Sequence, residues 1–185
     1  MARYKKYIFI LVGSLAILSV AAVFAFNYVP ILKVEGKAAT YSEFLKVYNA
    51  FKTYDLVSQK THAEEQELKR RALASLIDDK FLEIIVQKTN TSLKLEAEQN
   101  VEKAILEMKE GDFSLEEAAN KLYGLSAADF KKFVLIPEAE KDLLVKHYEY
   151  NPSELDDLWA FWARNAKVKI YYPGYEWRDG EVKIK

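Results

Sequence analysis

The sequence predicts a mainly α domain with a small β-sheet (α+β), set behind an N-terminal membrane helix. Three observations carry that expectation. Apolar residues recur at helical spacing through the middle of the chain, apolar residues alternate with polar ones near both ends of the rest, and residues 8–26 hold no charge. The uncharged run is 19 residues long and follows Arg3, Lys5 and Lys6. At about 1.5 Å per residue such a helix crosses most of a hydrocarbon core of about 30 Å. Residues 1–26 therefore read as a retained anchor in the lipid bilayer, with a cleaved signal ending near Val23-Phe24-Ala25 as the alternative. The basic residues stay inside, which leaves residues 27–185 extracytoplasmic.

The first element after the anchor is a short strand over residues 31–35, turned by Gly36-Lys37. Thr40 with Glu43 is a capping box, and Phe44, Leu45, Tyr48, Phe51 and Leu56 follow on a helix. Thr61 with Glu64 repeats the capping signal. A long helix then carries Leu68, Leu73, Leu76, Ile77, Phe81, Ile84 and Ile85 and ends near Lys88. After a break at Asn90-Thr91-Ser92, a third helix bears Leu95, Val101, Ile105 and Met108 and stops at Gly111. Ser114 with Glu117 caps a short helix ending at Gly124. Ser126 with Asp129 starts another, which carries Phe130 and Phe133, bends at Pro137 and continues to Tyr148. Asn151, before Pro152, is placed to cap the last helix, which bears Leu155, Leu158, Trp159 and Trp162. Val168, Ile170 and Tyr172 then alternate with polar neighbours as a strand. Asp179-Gly180 marks a hairpin turn between Tyr175/Trp177 and Val182/Ile184. An isolated five-residue strand has nowhere else to satisfy its backbone, so residues 31–35 should pair with residues 168–172.

Composition narrows the function classes. Residues 27–185 contain all 28 acidic residues and 24 basic ones, a net charge of −4, which argues against nucleic acid as a partner. There is no cysteine, so thiol nucleophiles and disulfides are excluded. His62 and His147 have no second ligand at helical spacing and read as surface or cap residues. Asp78-Asp79 and Asp156-Asp157 are helix neighbours about 100° apart, and so solvated edges rather than shared-proton pairs, with Arg71 and Lys80 as surface partners of the first. No phosphate loop, nucleophile elbow or zinc-protease motif is present, and neither an enzyme activity nor a cofactor or metal is expected. The surplus is aromatic: 25 of 185 residues are Phe, Tyr or Trp. Phe161 lies on a different helix face from Trp159 and Trp162. The rings either fill the core where helix meets sheet or line a groove for extended apolar peptide. The candidates for such a groove are Phe130, Phe133, Trp159, Trp162, Tyr171 and Trp177.

Four segments together resemble a known family. Val34-Glu35-Gly36-Lys37 leading into Thr40-Tyr41-Ser42-Glu43-Phe44 is similar to the strand, turn and capped helix that open the SurA N-terminal-domain family. Residues 72–82 resemble its long second helix, and residues 122–137 its next helical hairpin. Residues 158–171 resemble the helix and strand that close SurA- and PrsA-type foldases. The resemblance covers most of residues 31–172, with residues 173–185 left as a C-terminal hairpin extension. It implies an extracytoplasmic chaperone domain, a holdase whose partners are unfolded or exported polypeptides; a non-catalytic adaptor of an envelope membrane complex is the alternative. Two departures stand out. Glu35 occupies a position where the family often has asparagine. Only residues 145–151 separate Leu144 from Pro152, where such foldases carry a parvulin domain, so no isomerase activity is expected.

Overall fold

The computed structural model describes residues 28–58, 63–109 and 114–185. The anchor or signal expected over residues 1–26, the cap at Thr61, the histidine at 62 and the stop at Gly111 lie outside them. No described helix is long and apolar enough to cross a membrane. The architecture is mainly helical with small antiparallel sheets, as expected.

Strand β1 (Pro30–Val34) turns at Glu35-Gly36 into β2 (Lys37–Thr40), and both turn residues have positive φ, 49° and 84°. β2 escapes the sequence reading because two of its four residues are alanine, a poor strand former. The turn determines it: a two-residue turn with both φ positive sends the chain straight back along β1. Glu35 holds a conformation in which asparagine is more at ease. It is tied there by its own bonds to the other chain end. Its N–H donates to the Lys167 carbonyl at 3.1 Å, and its Oε1 accepts from the Lys167 N–H at 2.7 Å. Glu35 thus clasps β1 to the segment that leads into β3.

Four helices follow. α1 (Tyr41–Val57) has both halves of the Thr40/Glu43 capping box and buries Phe44 and Val47, while Leu56 is exposed. α2 (Glu65–Thr89) is the central helix. All seven apolar residues expected on it are buried, joined by Ala72, Leu82 and Val86, so it is enclosed on several sides. α3 (Ser92–Lys109) buries Leu93, Ala97, Val101 and Ile105. The expected Leu95 and Met108 are exposed instead, because a four-residue stripe starting at Leu93 puts Leu95 about 200° round the helix. α4 (Leu115–Tyr123) starts on the Ser114 cap and ends at Gly124, φ 65°. A Cβ on Gly124 would stand 3.0 Å from the Thr53 hydroxyl, so both backbone and space require glycine there.

α5 (Ala127–Phe130) leads through one π-helical turn, Lys131–Leu135, into α6 (Ile136–His147). The bend expected at Pro137 is this wider turn: Ile136 N–H bonds back five residues to Lys131, which moves the preceding carbonyls off the proline ring. α7 (Pro152–Asn165) begins as expected, but the Asn151 side chain does not cap a backbone N–H. Its amide nitrogen donates to Glu154 at 3.1 Å and its oxygen accepts from the Ser153 hydroxyl at 2.9 Å.

The chain ends meet as predicted. β3 (Val168–Ile170) pairs antiparallel with β1, Leu32 opposite Ile170 and Val34 opposite Val168, giving the order β2-β1-β3. Tyr171 N–H extends the ladder to the Ile31 carbonyl at 2.7 Å. β4 (Tyr175–Arg178) and β5 (Glu181–Ile184) form the expected hairpin around Asp179-Gly180, φ 57° and 81°. This hairpin packs into the same core as the rest. Tyr175 and Val182 are buried, and the Tyr175 hydroxyl donates to the Gln66 carbonyl at 2.9 Å.

Candidate peptide-binding site

The six aromatic residues singled out by sequence do not form one surface. Trp159 and Trp177 both meet Phe81 edge-on, at 6.4 and 5.8 Å between ring centres. Phe81 is 1% exposed, so these rings close the core over α2. Trp162 is buried with its indole N–H unpaired by any described residue, and the Lys88 ammonium sits 4.3 Å above its ring. Phe161, on the other face as the spacing required, is exposed, and so is Tyr171. Around α7 and the hairpin the core-filling reading of the rings describes the packing, and the expected exposure of Trp162 is corrected: one helix can bury only one stripe, and Trp162 lies on it.

Phe130 and Phe133 are different. Phe130 stands just before the π-helical turn and Phe133 in its middle, and they line two separate recesses. Phe130 belongs to a groove of about 440 Å³ with Val101, Ile105, Met108, Leu115 and Leu135. Phe133 belongs to a pocket of about 280 Å³ walled by Phe51, Tyr54, Tyr123, Leu125 and Val134. Tyr123 links the two. It stacks on Tyr54 at 5.5 Å with 9° between planes, and lies 5.2 Å from Phe130. A wide turn inserts a residue into the helical register, which is how rings three apart in sequence come to serve two cavities.

The walls are fixed by polar contacts. Lys46 on α1 reaches Asp129 on α5 at 2.6 Å, and Lys132 in the π-helical turn reaches Glu43 at 2.8 Å, so α1 holds both α5 and the turn that follows it. Burial works to raise Asp129 and Glu43, but hydrogen bonds from the lysines and from Ser126 or the Thr40 backbone, with the lysine charges, together outweigh it and hold both carboxyls below their ordinary values. At the mouth of the aromatic pocket Arg71 donates from Nη1 to Asp55 Oδ2 at 2.8 Å, and its guanidinium carbon lies 4.6 Å from the centre of the Phe51 ring. Asp55 is 4% exposed, which makes Arg71 its essential counter-ion. The expectation that Arg71 serves Asp78-Asp79 is corrected: a buried carboxylate on α1 captures it. Lys80 bonds to Glu83 instead. Asp78 is exposed, whereas Asp79 is partly buried, and burial pushes its carboxyl up to about 7, with Lys141 and Lys80 opposing.

Sequence reasoning found Phe133 but missed Phe51, Tyr54, Tyr123 and Arg71 as its company. The C-terminal cluster was conspicuous because its rings are adjacent in sequence. The pocket's rings come from residues some 80 apart and gave no local signal. The His147 ring lies edge-on to Tyr148 at 5.0 Å, and no described group of three His, Cys, Asp or Glu could hold a metal ion. No family model, curated protein or solved structure matches the chain. The site's own geometry carries the functional argument.

Proposed function

We propose that this chain is a membrane-anchored, extracytoplasmic holdase domain that binds unfolded or exported polypeptides without isomerising them. The observation that carries the reading is the pair of apolar recesses on either side of the π-helical turn, joined by Tyr123. Each is the size of one or two large side chains, and apolar walls accept many sequences. The resemblance of residues 31–172 to the SurA N-terminal-domain family supports the same reading. Affinity is modest, because ordering a flexible client costs several kcal/mol.

A second reading is favoured by Leu95, Leu106 and Met108, which leave α3 with exposed apolar residues. On that reading α3 docks on one neighbouring membrane protein and the chain is an adaptor. Light scattering separates the two. The detergent-solubilised full chain should suppress aggregation of a heat-denatured client at several-fold molar excess, and leave a proline-limited refolding rate unchanged. An adaptor would leave the scattering unaltered and co-purify with one protein at fixed stoichiometry.

A further inference from the structure

Arg71 offers the aromatic pocket more than a wall. A guanidinium has five N–H donors in a rigid plane. One of these bonds to Asp55, and no other described acceptor takes the rest. Two contacts, the Asp55 carboxylate and the Phe51 ring, hold the group in place before any ligand arrives. Little side-chain entropy remains to be lost on binding. Its side chain is 32% exposed, enough to be reached from solvent. None of the described lining residues is acidic, Asp55 standing at the mouth as the partner of Arg71, and Ser75 adds a hydroxyl beside Arg71. The rest of the described lining is aromatic or aliphatic. An apolar cavity with a pre-oriented cation at its edge matches a bulky apolar group with a carboxylate beside it.

We infer that the pocket selects internal peptide segments in which a large apolar side chain, seated among Phe51, Tyr54, Tyr123 and Phe133, neighbours an Asp or Glu that pairs with Arg71. This rests on the peptide-binding reading and adds a sequence preference to it. Planar, two-point bonding of a carboxylate is what guanidinium geometry favours and what a lysine ammonium cannot reproduce.

The test is fluorescence anisotropy of the full chain in detergent with capped, labelled nonapeptides in an Ala/Ser host. Their central pairs are Phe-Asp, Phe-Asn, Phe-Lys and Ala-Asp. Phe-Asp should bind about fivefold tighter than Phe-Asn and tighter still than Phe-Lys, with the margin shrinking in high salt. Ala-Asp should bind weakly, because the pocket is left unfilled. Arg71→Lys keeps a cation beside Asp55, and should erase the Asp-over-Asn margin. Ser75→Trp, which fills the cavity, should abolish binding of all four. Equal affinities for Phe-Asp and Phe-Lys, or a margin that survives Arg71→Lys, overturns the inference while leaving peptide binding intact. If Arg71→Lys fails to melt cooperatively, the peptide series and Ser75→Trp decide alone. No binding by any peptide overturns the inference and the peptide-binding reading together. A free C-terminal Phe outcompeting capped Phe-Asp would assign Arg71 to chain termini and overturn the choice of an internal segment.

Discussion

Replacing Asp79 by asparagine should make the protein more stable at alkaline pH and change little near pH 4. Asp79 is partly buried on α2, and burial is the main reason its carboxyl is pushed up to about 7 from an unfolded value near 3.8; Lys141 and Lys80 oppose the shift and Asp78 and Glu140 add to it. Between those two values the folded protein keeps a proton that the unfolded chain has lost. Unfolding then releases a proton, so stability falls as pH rises from about 4 to about 7 and levels off above that. Roughly three pH units at about 1.4 kcal/mol each set an upper bound near 4 kcal/mol, and solvent reaching this partly exposed group reduces it to about 2. Asparagine has nearly the same shape and no charge to desolvate. Urea unfolding of the wild type and Asp79→Asn at pH 4.5 and pH 8 measures the effect as a double difference, which cancels the titration of Glu43, Glu83 and Asp129. The variant should gain about 2 kcal/mol on the wild type between the two pH values. A double difference below about 0.5 kcal/mol, or one of opposite sign, would refute the reasoning.

Two further outcomes follow from the fold and the sequence. Ending the chain at Asn165 removes β3 from β1 and the β4–β5 hairpin from Phe81, and should lower the melting temperature by more than 10 °C; an unchanged melt would contradict the closure of the chain ends. The full chain should stay in the membrane fraction through a high-salt wash, because apolar burial does not respond to screening, whereas a mature N-terminus at Phe26 would show a cleaved signal instead.

Elements with their own local chemistry were legible in the sequence. Thr40 with Glu43, Ser114 with Glu117, Ser126 with Asp129, and Asp179-Gly180 each fix a boundary through bonds between near neighbours, and all four stand where expected. The pairing of β1 with β3 was legible for another reason: the sequence showed no other partner for β1, and the structure adds β2 on its second edge. What failed did so through non-local competition. Asn151 found side-chain partners in Ser153 and Glu154 in place of a backbone N–H. Arg71 was taken by the buried Asp55, sixteen residues before it. The register of α3 turned on Leu93, which lies at the very start of the helix. The candidate site was half legible. Phe130 and Phe133 announce themselves on an amphipathic helix, but the wide turn that holds Phe133, and the rings α1 brings to it, exist only once the helices are packed.

The central claim is that the aromatic pocket beside the π-helical turn takes up unfolded polypeptide. A photo-crosslinking residue with a short aliphatic diazirine side chain, too small to fill the cavity as tryptophan would, placed at Ser75 on the pocket wall tests it most directly, with the same residue at the exposed Asp157 on α7 as control. The full chain in detergent is irradiated with a denatured client and with the same client folded. Crosslinks from position 75 to the unfolded client alone, suppressed by competing Phe-Asp peptide and absent at position 157, are the result the account predicts. Equal labelling from both positions, or none from position 75 while aggregation is still suppressed, would contradict it.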